Sequence, residues 1–328
     1  MEKQNLKKGL IFGIFGTVIG GLNPIIANSR PEIIDAYLFA AMTVIVQAII
    51  FFPLMMVERN KLKSDFKNDN ITYEEMDSFL NDRWIGDISF LNGYKRNKLL
   101  LIFLGIIFGA CMILFFIGYQ LAGAINGNLV LKTTIFFSLF FGWVILGEKI
   151  SIRQVIFSIV LFIGLFLAVA HGSFNLIELN IGVLILLSIS GIWMFAHCIS
   201  KPMLDRKEIS PIHLSCMRNT ISAILLASTY FLFFPLENVN LLLNPIVLFW
   251  GILMGTVYGI GLYLWYKVLE NIDVSIATII LSANLIVTAF FATLFLGEVF
   301  TIFHLIGTIL IITSIIIIVN PMKKEELK

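Results

Sequence analysis

The chain has 328 residues, 59% of them hydrophobic and 13% charged, about half the charged share of an ordinary soluble domain. That composition excludes a soluble globular protein, which would have to carry the surplus Ile, Leu and Phe on its surface. The net charge of +2, with no long basic stripe, excludes a nucleic-acid partner, because nothing is arranged to neutralise phosphates. The partner the composition implies is the lipid bilayer.

Along the chain, ten segments are long and apolar enough to cross about 30 Å of hydrocarbon: Gly9–Ala27, Ala36–Val57, Leu99–Tyr119, Asn128–Leu146, Ile152–Ala170, Ile181–Ile199, Ile212–Phe234, Ile246–Tyr266, Val274–Leu296 and Ile302–Val319. Each must be a helix, since in lipid every backbone amide has to be satisfied within its own segment. The runs are continuous, not alternating, which excludes an outer-membrane barrel. The basic stretch Met1–Lys8 precedes the first span without a small-x-small cleavage site, so we read that span as a membrane helix and not a signal peptide. The fold class expected is therefore an all-α integral membrane protein with ten transmembrane helices.

Loop charges orient it. With the N-terminus cytoplasmic, 20 of the 23 Lys and Arg fall on the inside and only Arg30 outside; Lys132 and Arg218 lie within spans. This bias predicts a multi-pass protein of the plasma membrane with both termini cytoplasmic. One loop, 58–98, is a cytoplasmic insert with eight acids and eight bases. Thr72 and Glu75 have capping-box spacing, and Phe79, Leu80, Trp84, Ile88 and Leu91 recur at helical spacing, which predicts a short amphipathic helix near the membrane surface.

The sequence repeats itself. Leu146, Gly147, Glu148, Lys149, Ile150, Ser151 and Ile152 correspond to Leu296, Gly297, Glu298, Val299, Phe300, Thr301 and Ile302. A tyrosine, Tyr119 or Tyr266, lies about thirty residues before each Glu. Each Tyr follows a glycine-spaced helix, Gly105 and Gly109 in one copy and Gly251, Gly255 and Gly259 in the other, a pattern that lets helices approach closely. The copies hold five helices each, an odd number, so the second starts on the opposite side of the membrane. The halves, 8–170 and 179–320, are thus two inverted five-helix repeats, with Glu148 near the cytoplasmic face and Glu298 near the outer face. Inverted repeats are a device of secondary transporters.

Ionisable groups inside spans are functional candidates. Lys132, with Asn128, Thr133 and Thr134 nearby, faces the repeat-equivalent Ser282 and Asn284 and could hold an anion such as a carboxylate or phosphate. Arg218 is the second cation; it could meet a substrate anion, helix-end carbonyls or a lipid headgroup. Glu148 and Glu298 sit at helix ends, where a carboxylate caps the first turn of the following helix or takes part in gating. His197 reads as a hydrogen-bonded histidine or a proton carrier. Tyr119, Tyr266, Trp193 and Gln47 are either packing residues or cavity lining. Cys111, Cys198 and Cys216 form no CxxC pair, so no metal site or disulfide framework is expected. No cofactor is implied. No Asp or Glu lies in mid-span, which favours exchange or facilitated movement over a proton relay.

Two five-helix halves, each with Leu-Gly-Glu before its last helix, resemble the drug/metabolite transporter superfamily and, within it, the EamA-type permeases. The stretch Leu214–Thr220 around Arg218 resembles the Arg-containing start of the second helix of such a half; in the first half Leu38 stands near that place. Typical halves carry a proline some thirteen residues before the Glu, where this chain has Ile135 and Leu285. The resemblance implies transport of a small metabolite, amino acid or xenobiotic by alternating access, with the site between the halves. It covers about 8–320. No HExxH or GxSxG motif is present, so no catalytic residue is expected, and without a Walker motif ATP is not the direct energy source. The competing reading is a non-transporting receptor or scaffold working through the 58–98 insert. A homodimer is compatible with either.

Overall fold

The computed structural model describes residues 6–68, 94–169, 181–234, 240–241 and 243–319, and these are helical, with no strand among them. The amphipathic helix expected over 79–91 lies outside the described residues. The helices are α1 (Leu6–Ser29), α2 (Ala36–Asn68), α3 (Lys98–Ala122), α4 (Ala124–Val130), α5 (Thr134–Leu146), α6 (Ile152–Val169), α7 (Ile181–Asp205), α8 (Pro211–Phe233), α9 (Pro245–Leu269), α10 (Val274–Leu281), α11 (Asn284–Leu296) and α12 (Ile302–Val319). With α4–α5 and α10–α11 each taken as one span, eight spans are long and apolar enough to cross a membrane, and α6 and α12 contribute two shorter apolar helices. Large apolar side chains such as Phe140, Trp143, Ile224 and Phe290 stand exposed on the outside of the bundle, as a lipid-facing surface requires.

The two interrupted spans are the structural surprise. The fourth span starts at Ala124, four residues before the expected Asn128, and passes through a 3-10 turn at Leu131–Thr133. The ninth breaks at Ser282 and Ala283. Neither break has a proline or glycine. Hydroxyl groups do the work instead: Thr133 Oγ1 donates to the Val130 carbonyl (2.8 Å), Thr134 Oγ1 to Leu131 (2.6 Å) and Ser282 Oγ to Ile279 (2.6 Å). Such back-bonding competes with the main-chain ladder and tightens it locally.

Each half of the frame leans on the other. α1 packs on α9 and α11, while α7 packs on α3 and α5; α2 packs on α8, and α6 on α12. Glycines permit these approaches. A Cβ at Gly105 would stand 2.4 Å from Ile221 and 3.2 Å from the Arg218 carbonyl; at Gly255 it would stand 2.5 Å from Val46 and 3.1 Å from the Thr43 carbonyl. The second helix thus lies on the glycine face of the other half's third helix in both cases, and the register is 150 residues, the same as between Glu148 and Glu298. This corrects two correspondences expected from the sequence. Thr43, not Leu38, stands where Arg218 stands, and Tyr266 matches Phe116, not Tyr119.

Candidate functional site

Both Leu-Gly-Glu motifs end a helix in the same way. Gly147 and Gly297 take the left-handed conformation, each with φ 66°, which glycine adopts without strain. The next N–H, of Glu148 or Glu298, then returns to the carbonyl of Gly142 (3.0 Å) or Ala292 (3.4 Å). The turn throws the carboxylate sideways, and it does not cap the following helix. That helix is capped by a local pair, Ser151 with Gln154 and Thr301 with His304. Glu298 instead accepts from the N–H groups of Ala124 (2.6 Å) and Ile125 (2.8 Å), the start of α4. Glu148 accepts from the Val274 N–H (3.0 Å) and the Ser275 hydroxyl, the start of α10. Each carboxylate therefore meets the positive end of the other half's interrupted span, and the capping expectation is corrected in its partner. Burial pushes the Glu148 carboxyl above its ordinary range, against the bonds from Ser275 and Val274.

The interrupted spans meet at their breaks. Lys132 Nζ donates to Asn284 Oδ1, and Asn128 Nδ2 donates to Thr288 Oγ1 (2.6 Å), which in turn donates to the Gly21 carbonyl on α1 (2.8 Å). Around this junction lies a cavity of about 930 Å³ of empty space, its mouth included. Lys132, Asn128, Thr134, Ser282, Asn284, Arg218 and Tyr119 all line it. Phe108, Phe115, Trp193, Tyr258 and Trp265 add an aromatic wall, and Gly16 and Gly20 of α1 leave it open on that side.

Arg218 is 2% exposed and Lys132 4%. The guanidinium carbon of Arg218 lies 3.8 Å from the Phe108 ring centroid, a cation–π stack, and Nη1 donates to the Tyr266 hydroxyl (3.2 Å). Neither cation is in an ion pair among the described residues, and no Asp or Glu lines the cavity. Three buried polar atoms of lining residues have no hydrogen-bond partner among the described residues: Arg218 Nε and Trp193 Nε1, both donors, and Asn23 Oδ1, an acceptor. Unpartnered buried polar atoms are rare in native proteins; three line this cavity, and others, such as Gln47 Nε2 and Asn219 Oδ1, lie elsewhere in the bundle.

Other expected residues fall elsewhere. Tyr266 lies behind Arg218 and not in the cavity wall, and Gln47 accepts from Asn219 (2.9 Å) away from it. Glu148 and Glu298 stand at the helix ends. His197 does line the cavity, with Nδ1 accepting from Trp265 Nε1 (3.1 Å), so that nitrogen carries no proton. Asn23, Tyr258 and Trp265 were not singled out from the sequence. The signal for the α1 wall was there, however, in the spacing of Gly9, Gly13, Gly16 and Gly20, a stripe of small residues. Cys111, Cys198 and Cys216 are free and buried. Among the described residues no group of three His, Cys, Asp or Glu is placed to hold a metal ion.

Membrane-length apolar helices surrounding a central cavity define a multi-pass helical membrane protein. The chain belongs to the EamA-like transporter family, whose model matches residues 7–170 and 180–320. It is accordingly a membrane transporter with small-molecule substrates, from a family of transporters and not of enzymes. A solved structure described as "Crystal structure of protein" is similar in fold, with a TM-score of 0.65 at 14% identity over 95% of this chain and 98% of that one. No curated protein matches the chain.

Proposed function

We propose that this protein is a secondary transporter that moves a small organic anion across the plasma membrane by alternating access, with the central cavity as its substrate site. The observation that carries the reading is the pair of buried cations, Lys132 and Arg218, facing one cavity that no acidic residue lines among the described residues. A buried charge without a counter-charge is costly, and an anionic substrate supplies the counter-charge. Asn128, Thr134, Ser282, Asn284 and Tyr119 complete the lining, and Tyr266 positions Arg218.

The units that move are the two halves, 8–170 and 179–320, as inverted five-helix repeats making ten transmembrane helices with both termini cytoplasmic. Discontinuous helices that meet mid-membrane are where carriers of inverted design bind their substrates, and here the two breaks meet at Lys132 and Asn284. Glu148 and Glu298 fasten opposite ends of the junction, each to the other half. The lack of a mid-span acid supports exchange or facilitated movement.

The test is thermal stability of the purified protein against a panel of anionic, neutral and cationic solutes, for wild type and Lys132→Ala. A ligand that binds only the folded state raises the melting temperature. Anions should stabilise wild type and fail to stabilise the variant. Stabilisation by neutral or cationic compounds alone would overturn the anion reading.

A further inference from the structure

The two cations come from different helices and are held by different partners. Lys132 sits at the α4–α5 break, tied to Asn284 across the junction. Arg218 sits on α8, flat against Phe108 of α3 and bonded to Tyr266 of α9. Aromatic side chains line the same cavity, with Phe115 in ring contact with Tyr119 (4.7 Å), Trp193 (5.6 Å) and Tyr258 (5.8 Å). One negative group at either cation would leave the other uncompensated in a low-dielectric site, where an unmatched charge costs most.

We propose that the substrate is a two-ended dianion of the dicarboxylate class, with one carboxylate at Lys132, the other at Arg218 and an apolar middle along the aromatic wall. This rests on the anion-carrier reading above. Arg218 favours a carboxylate at its end. With Nη1 engaged by Tyr266, Nε remains as a donor, and a planar carboxylate suits the guanidinium edge. Trp193 Nε1 is a second unpartnered donor in the same lining. Asn23 Oδ1, the unpartnered acceptor, suits a hydroxyl or amino substituent on the chain between the carboxylates. A phosphate monoester concentrates its charge at one end and leaves the other cation bare.

Calorimetric titration with linear dicarboxylates, monocarboxylates of equal length and an alkyl phosphate tests this, on wild type, Lys132→Gln, Arg218→Gln and the charge-keeping Lys132→Arg. Losing one charge-assisted bond weakens binding by about ten- to a hundredfold. Dicarboxylates should therefore bind wild type that much more tightly than matched monocarboxylates. The preference should vanish in either Gln variant and persist in Lys132→Arg. Should Arg218→Gln fail to fold, the two Lys132 variants decide between them. Equal binding of mono- and dicarboxylates, or tighter binding of the alkyl phosphate, would overturn the two-ended ligand and leave the anion carrier standing. Binding of neutral or cationic solutes with no anion binding at all would overturn both.

Discussion

The two repeats share a frame and differ in what they place inside it. At a register of 150 residues, Gly105 matches Gly255, the break at Lys132 matches the break at Ser282, and Glu148 matches Glu298. Yet Lys132 is matched by Ser282, Thr134 by Asn284 and Asn128 by Thr278, while Arg218 stands opposite Thr43. The turn between the first two helices differs too. In the first repeat it is held by a cation, with Arg30 donating to the carbonyls of Ala27 and Ile34. In the second it is held by an anion, with Glu208 accepting from Arg96, Arg206 and Asn97. Packing and caps are duplicated because both halves must make the same crossings. The charged lining is not duplicated, as the single asymmetric ligand proposed above would require.

The largest effect should come from breaking the shared frame. Gly105→Val or Gly255→Val drives a branched side chain into a neighbouring helix backbone and should cost about 3 kcal/mol, near the top of the overpacking range. Melting temperature in detergent should fall for both, and by similar amounts; tolerance of either would separate the two crossings. Next comes the difference between the halves. Lys132→Ser gives the first repeat the second's residue and should weaken anion binding about ten- to a hundredfold. Adding Ser282→Lys returns a cation to the junction from the other side and should recover part of that loss in the same titration.

A smaller effect is expected at the crossed caps. Glu298→Ala strands two backbone N–H groups and should cost about 1–2 kcal/mol, as N-cap removal does. Glu148→Ala strands the Val274 and Ser275 N–H groups and the Ser275 hydroxyl, and should also cost about 1–2 kcal/mol. Chemical or thermal denaturation that gives the two clearly different costs would show that the caps are not equivalent in kind. The smallest effect concerns pH. Glu208 is buried, which raises its pKa, but Arg206, Asn97 and Arg96 together hold it below the ordinary 4.5. A depressed carboxyl contributes stability that is present above the unfolded value and lost as pH falls through the folded one. Wild type should therefore lose melting temperature below about pH 4.5 more steeply than Glu208→Gln.

Much of this was legible in the sequence. Apolar runs gave the spans, the duplicated Leu-Gly-Glu gave the repeat, and Lys132 and Arg218 stood out as cations in lipid-length segments. What was not legible depended on contacts between distant residues. The breaks carry Thr133, Thr134 and Ser282 where a proline would have announced them, and a hydroxyl bends a helix only when its rotamer turns back on the ladder. The partners of Glu148 and Glu298 lie 126 and 174 residues away, so local capping rules pointed to the wrong helix. Tyr119 and Tyr266 looked equivalent because both follow a glycine-spaced helix, but only the packing fixes the register. Asn23 gives no signal in the sequence because its place in the cavity wall depends on α1 lying beside α9 and α11.

Counterflow in proteoliposomes tests the central claim most directly. Vesicles holding the purified protein would be preloaded with a stabilising anion, and uptake of the labelled anion followed for wild type, Lys132→Gln and Arg218→Gln reconstituted to equal levels. Wild type should show saturable uptake that preloading accelerates, and both variants should lose it. Uptake in the variants equal to wild type, or flux that does not saturate, would contradict a substrate site between the two cations.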